Sequence, residues 1–217
     1  MPQFAQPLTL LQFIVPSVSV GILLSGVILY GYMSIRYRSP LYISMTILAL
    51  AALGFVGSES MILGLIVYNH GWGPAIRFHQ AEHLFGALFL AALPFFLANI
   101  LELGRGWAKV NAMLCILGLL YTAVCLLTVV AGSDLFISAT VHKETWLTLA
   151  PDYGRGKEGP LYMGRDALLA VCILFSLVSI VVDLHRTRRF SYLLFPIAGI
   201  LLAVWGAAVD IVYVYTG

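Results

Sequence analysis

His79 and His83 stand four residues apart in the segment FHQAEH, with Glu82 directly before the second histidine. On a helix this spacing puts both imidazoles on one face. Neutral imidazole and carboxylate are ligands for zinc-class divalent metals, and HExxH uses the same histidine spacing with a glutamate base. FHQAEH is not HExxH, because its glutamate adjoins the second histidine. A metal held by His79 and His83 therefore needs a further ligand, which His142, His70 or Glu144 could supply. The alternative is a pair of interfacial histidines at the start of a helix. Haem is a second cofactor alternative, but it needs axial ligands facing each other, and only His83 approaches the interior of an apolar segment. No cofactor is the primary expectation.

A second group of ionisable residues lies within apolar sequence: Glu59, Glu82, Arg165, Asp166 and Asp210. Charged groups inside a membrane are costly and are functional candidates by default. With Glu82 and His83 they form a candidate ligand site, in which Arg165 is the cationic partner for the carboxylates. For Glu82, Arg165 and Asp166 the alternative is snorkelling to the interface. No phosphate-binding glycine loop and no GxSxG elbow occurs, and GSES at 57–60 has no histidine on a matching face. The chain therefore carries no catalytic constellation and reads as a non-enzyme.

The composition requires these residues to be positioned by a membrane bundle. Apolar residues make up 61% of the chain and charged residues 10%, against about 25% charged in a soluble domain. A soluble fold of this size leaves too much surface wet to hide that apolar content. The net charge of +2 and the dispersed basic residues argue against nucleic acid. The first apolar run lacks a basic n-region and reads as a retained helix, not a cleaved signal. Cys115, Cys125 and Cys172 lie in apolar stretches and read as packing residues.

A span needs about 20 mostly apolar residues. Six segments qualify: Leu8 to Met33, Leu41 to Tyr68, Ala81 to Leu101, Val110 to Ala131, Leu161 to Asp183 and Phe190 to Tyr215. The expected fold is all-α, a single-domain polytopic bundle of six transmembrane helices over residues 1–217. The short turns hold Arg36 and Arg38, Arg105 and Lys109, and Arg186, Arg188 and Arg189, which makes them cytoplasmic and puts the N-terminus outside. Trp72, Trp146, Tyr153 and Tyr162 suit an outer aromatic belt. Glu59 then lies about 27 Å above the cytoplasmic start of its helix, and Asp210 reaches a similar height. Glu82 and His83 fall in the first turn of the third helix, and Arg165 and Asp166 in the first turns of the fifth. Glu102 and Asp183 sit at helix ends, where they reach water. The polar layer is thus outward-facing.

Several motifs, in order, give a resemblance. RYRSP precedes a long helix, LPFFLANILELGR closes the third, and DLFISATV leads through a long loop to GPLYMG. DLHRTRRF then precedes LLFPIAGILL. This order resembles the N-terminal seven-helix membrane region of bacterial histidine kinases and related diguanylate or adenylate cyclases. The resemblance implies a sensory module in the bacterial cytoplasmic membrane that binds a small molecule or lipid and signals inward, as two-component systems do. It also implies a reading frame continuing past Gly217 into a seventh helix and an output domain. The competing expectation is a membrane subunit of a redox or respiratory complex, holding haem, metal or quinone through the outer histidines and carboxylates. Lipid is a partner in both readings, with a homodimer or other membrane subunits as further partners.

Overall fold

The computed structural model describes residues 7–67, 72–101, 103–143 and 154–187. These form α1 (Pro7–Tyr37), α2 (Pro40–Val67), α3 (Trp72–Ile100), α4 (Arg105–Val130), β1 (Ile137–Lys143), β2 (Gly154–Glu158) and α5 (Pro160–Thr187). Five stretches, Ser17–Tyr37, Pro40–Ile62, Ile76–Ile100, Arg105–Val130 and Pro160–Arg186, are long and apolar enough to cross a membrane. The expected sixth segment, with Asp210, lies outside the described residues.

Local chemistry sets the helix ends. Pro7, Pro40 and Pro160 each open a helix, where the missing N–H costs nothing and the fixed φ is already helical. Arg38 has a φ of 49° and donates its N–H to the Ser34 carbonyl at 2.9 Å, closing α1 before Pro40 restarts the chain. The short turns between α1 and α2 and between α3 and α4 make those neighbours antiparallel.

The outward faces are hydrocarbon. Ile22, Ile28 and Ile35 of α1 and Met113, Leu120 and Leu127 of α4 are all exposed, an arrangement that lipid rewards and water does not. Between helices, small residues let backbones approach. A methyl group on Gly118 of α4 would lie 2.5 Å from the Ala91 Cβ of α3, and one on Gly54 of α2 would meet the Phe85 ring of α3 at 2.3 Å. Intrahelical bonds satisfy hydroxyls: Thr46 donates to the Tyr42 carbonyl, Ser60 to Val56 and Thr122 to Gly118. In a medium without water such groups need internal partners.

Helix α3 packs against α2, α4 and α5 and forms the centre of the bundle. Leu93 and Leu97 of α3 and Leu101 just after it meet Ile180 of α5 in one apolar cluster. Cys125, Phe136, Ile137 and Tyr162 form a second cluster beneath the hairpin. Cys125 and Cys172 are buried free thiols and Cys115 is half-buried, which agrees with packing roles.

The structure corrects three expectations. Helix α3 starts at Trp72, not Ala81, because Pro74 falls in its first turn, where proline is tolerated. The FHQAEH segment is consequently interior to the helix. The stretch from Gly132 to Pro160, read as a loop, carries the antiparallel β1–β2 hairpin, with Ile137 opposite Glu158 and His142 opposite Arg155. The glycines of GRGKE hide β2 from propensity, and the strand exists through its partner. Asp183, expected at a helix end in reach of water, is fully buried, because it follows Ile180 by three residues on the face of α5 that packs against α3.

Candidate functional site

The N-terminal halves of α3 and α5 meet beneath the hairpin. On α3, residues 79, 82 and 83 follow the i, i+3, i+4 spacing that stacks side chains on one face. His79 and His83 are 4% and 5% exposed, and their rings meet edge to face with centroids 4.5 Å apart. His79 Nδ1 lies 3.5 Å from Glu82 Oε2. One donor atom from each of His79, Glu82 and His83 lies within 4.8 Å of the other two.

On α5, Tyr162, Arg165 and Asp166 share a face by the same spacing. The Arg165 guanidinium donates to Asp166 Oδ1 through Nε at 3.0 Å and Nη2 at 2.7 Å. Its Nη1 donates to His83 Nδ1, a buried contact between residues 82 apart in sequence. The guanidinium carbon also sits 3.9 Å above the centre of the Tyr162 ring, within cation–π range. The Tyr162 ring in turn meets His83 at 5.1 Å. One arginine thus joins a carboxylate, an imidazole and an aromatic face, and locks α5 to α3.

The hairpin is bolted over this site. Gln80 Nε2 donates to the Ile137 carbonyl at 2.9 Å, and the Tyr121 hydroxyl donates to the Leu161 carbonyl. The Gly159 N–H donates to Phe136 O at 2.8 Å, and the Leu161 N–H to Leu135 O at 2.9 Å. A side chain at Gly159 would come within 2.3 Å of the Asp134 and Leu135 carbonyl oxygens. Gly159→Ala is therefore expected to destabilise the protein by about 1 kcal/mol, the low end of overpacking costs because a loop can partly relax. Thermal unfolding in lipid nanodiscs measures this.

Carboxylates gather with the guanidinium at this end of the bundle. Glu59 of α2, the helix packed along α3, is half-buried. Asp166 pairs with Arg165 at 2.7 Å. His79 Nδ1 is buried and makes no hydrogen bond among the described residues.

Of the residues singled out from sequence, the structure brings together His79, Glu82, His83, Arg165 and Asp166, and places Glu59 half-buried on the neighbouring α2. Arg165 is buried and paired with a mostly covered Asp166, which argues against snorkelling. Asp210 lies outside the described residues. The donor found beside the two histidines is Glu82; His142 is five residues along β1 from the Ile137 that Gln80 holds, about 16 Å of extended strand. His79 and His83 project from one helix face, so this pair cannot clamp a haem from opposite sides. Sequence reasoning missed Gln80, and it placed Tyr162 in an aromatic belt although the residue is 1% exposed. The signal for Tyr162 was its i, i+3 spacing to Arg165. Compared with family models, curated proteins and solved structures, the chain finds no match in any of the three.

Proposed function

We propose that this chain is a transmembrane sensory module of the bacterial cytoplasmic membrane, with six spans and the N-terminus outside. It binds a small molecule or lipid in the polar site under the hairpin and passes occupancy inward by helix movement. The contact of Arg165 with His83 carries the reading, because one polar linkage couples two membrane helices at the end where a ligand would arrive. The basic turns Arg36–Arg38 and Arg105–Lys109 lie at the other end of the bundle, which supports the hairpin end as the outer one. Allosteric output needs an element with two arrangements that the ligand biases. Arg165 is suited to that role, since it can hold Asp166 alone or Asp166 and His83 together.

A test independent of ligand identity uses spin labels at the exposed positions Arg105 and His185, near the inner ends of α4 and α5. His83→Ala removes the outer linkage and is expected to shift the distance distribution between the labels in nanodiscs. A distribution identical to that of the labelled parent would refute the sensory reading.

A further inference from the structure

The donor set at the outer site specifies a ligand class. Two imidazoles and one carboxylate suit a divalent ion of the zinc type, and leave a fourth tetrahedral position for water. With metal–ligand bonds of about 2.0–2.1 Å, neighbouring donors around a tetrahedral ion lie about 3.4 Å apart. His79 Nδ1 and Glu82 Oε2 already stand 3.5 Å apart, and the three donors fall within 4.8 Å. The buried His79 Nδ1, without a hydrogen bond among the described residues, is aimed at that carboxylate. Glu82 supplies the anionic donor of the set, while Arg165 is paired with Asp166.

His83 adds a constraint. A guanidinium only donates hydrogen bonds, so His83 Nδ1 accepts from Arg165 and the neutral ring carries its proton on Nε2. In that state the ring has no lone pair to offer a metal. A metal must either take Nδ1 directly or take Nε2 after the proton moves to Nδ1, where it would face the Arg165 donor. Either route breaks the contact.

Resting on the sensory reading of this site, we propose that His79, Glu82 and His83 bind a zinc-class divalent ion. In this scheme the ion and the Arg165 guanidinium compete for His83. Metal arrival releases α5 from α3, and Arg165 then turns wholly to Asp166.

The test titrates Zn2+ against a chromophoric chelator, and Co2+ by its visible ligand-field bands, on the purified chain in nanodiscs. One ion per chain is expected, with affinity lowered at least about 100-fold in His79→Ala, since even outer partners of ligands are worth 10–100-fold. His79→Gln is the second variant, and size exclusion confirms that each variant is folded. Arg165→Lys keeps a charge for Asp166 but loses the fork that reaches His83, and is expected to tighten Zn2+ about tenfold. Unchanged affinity in folded His79 variants, or no cobalt bands, overturns the metal site. Unchanged affinity in Arg165→Lys overturns the competition. The Arg105 and His185 spin labels separate the two claims. If Zn2+ does not bind while His83→Ala still shifts the labels, the site fails and the sensory reading survives. If Zn2+ binds but neither Zn2+ nor His83→Ala moves the labels, the sensory reading fails and the site stands.

Discussion

Arg165→Leu is expected to cost about 3–5 kcal/mol, the typical penalty for removing one partner of a buried ion pair. The Arg165 and Asp166 side chains are only 9% and 11% exposed, so the leucine variant leaves the Asp166 carboxylate buried without its cation. The same change removes the donor to His83 and the cation over Tyr162, which loosens α5 from α3. The penalty belongs largely to the stranded charge, and a double-mutant cycle exposes this. Arg165→Leu combined with Asp166→Leu should recover most of the loss, because replacing both members of a buried pair with apolar groups is often neutral. Denaturant unfolding in mixed micelles measures both variants. A double variant as unstable as Arg165→Leu alone would place the stabilisation in the contacts to His83 and Tyr162 instead.

Gly118→Leu is expected to cost about 3 kcal/mol and to push α4 away from α3. The first atom of any side chain there would lie 2.5 Å from the Ala91 Cβ and 2.9 Å from its Cα. The Cα is backbone in the middle of a helix and cannot turn aside. At Gly54, by contrast, the obstacle is the Phe85 ring, a side chain that can rotate. Gly54→Ala should therefore be the milder of the two glycine changes. Thermal unfolding of the two variants side by side decides this, and equal losses would mean that Phe85 is as firmly held as the α3 backbone. The comparison matters to the site because α3 carries His79, Glu82 and His83, and its axial position depends on the contact with α4.

Much of this protein was legible from residue types alone. Long apolar runs specify membrane helices because the chain must satisfy its backbone bonds internally wherever water is missing. The five described helices fall where those runs do. The same logic marked Glu59, Glu82, His83, Arg165 and Asp166, since ionisable residues in such runs are expensive to keep. Their shared level at one end of the bundle followed from helix rise and from alternating helix direction.

Tertiary structure decided the pairings. Sequence offered Arg165 as a partner for the carboxylates, but only the rotation of α5 against α3 aims the guanidinium at both Asp166 and His83. The early start of α3 was hidden by Gly73 and Pro74, which read as loop residues until the first turn accepts them. The hairpin was hidden because a glycine-rich strand has little preference of its own and forms through its partner. Asp183 was placed near water by counting residues to a helix end, but the rotation of α5 puts it on the Ile180 face, toward α3. Sequence by itself marked the runs long and apolar enough to cross a membrane, because hydrocarbon acts on each residue separately. Which of those residues touch was settled only by the fold, because contact depends on helix rotation and close approach, properties of two segments together.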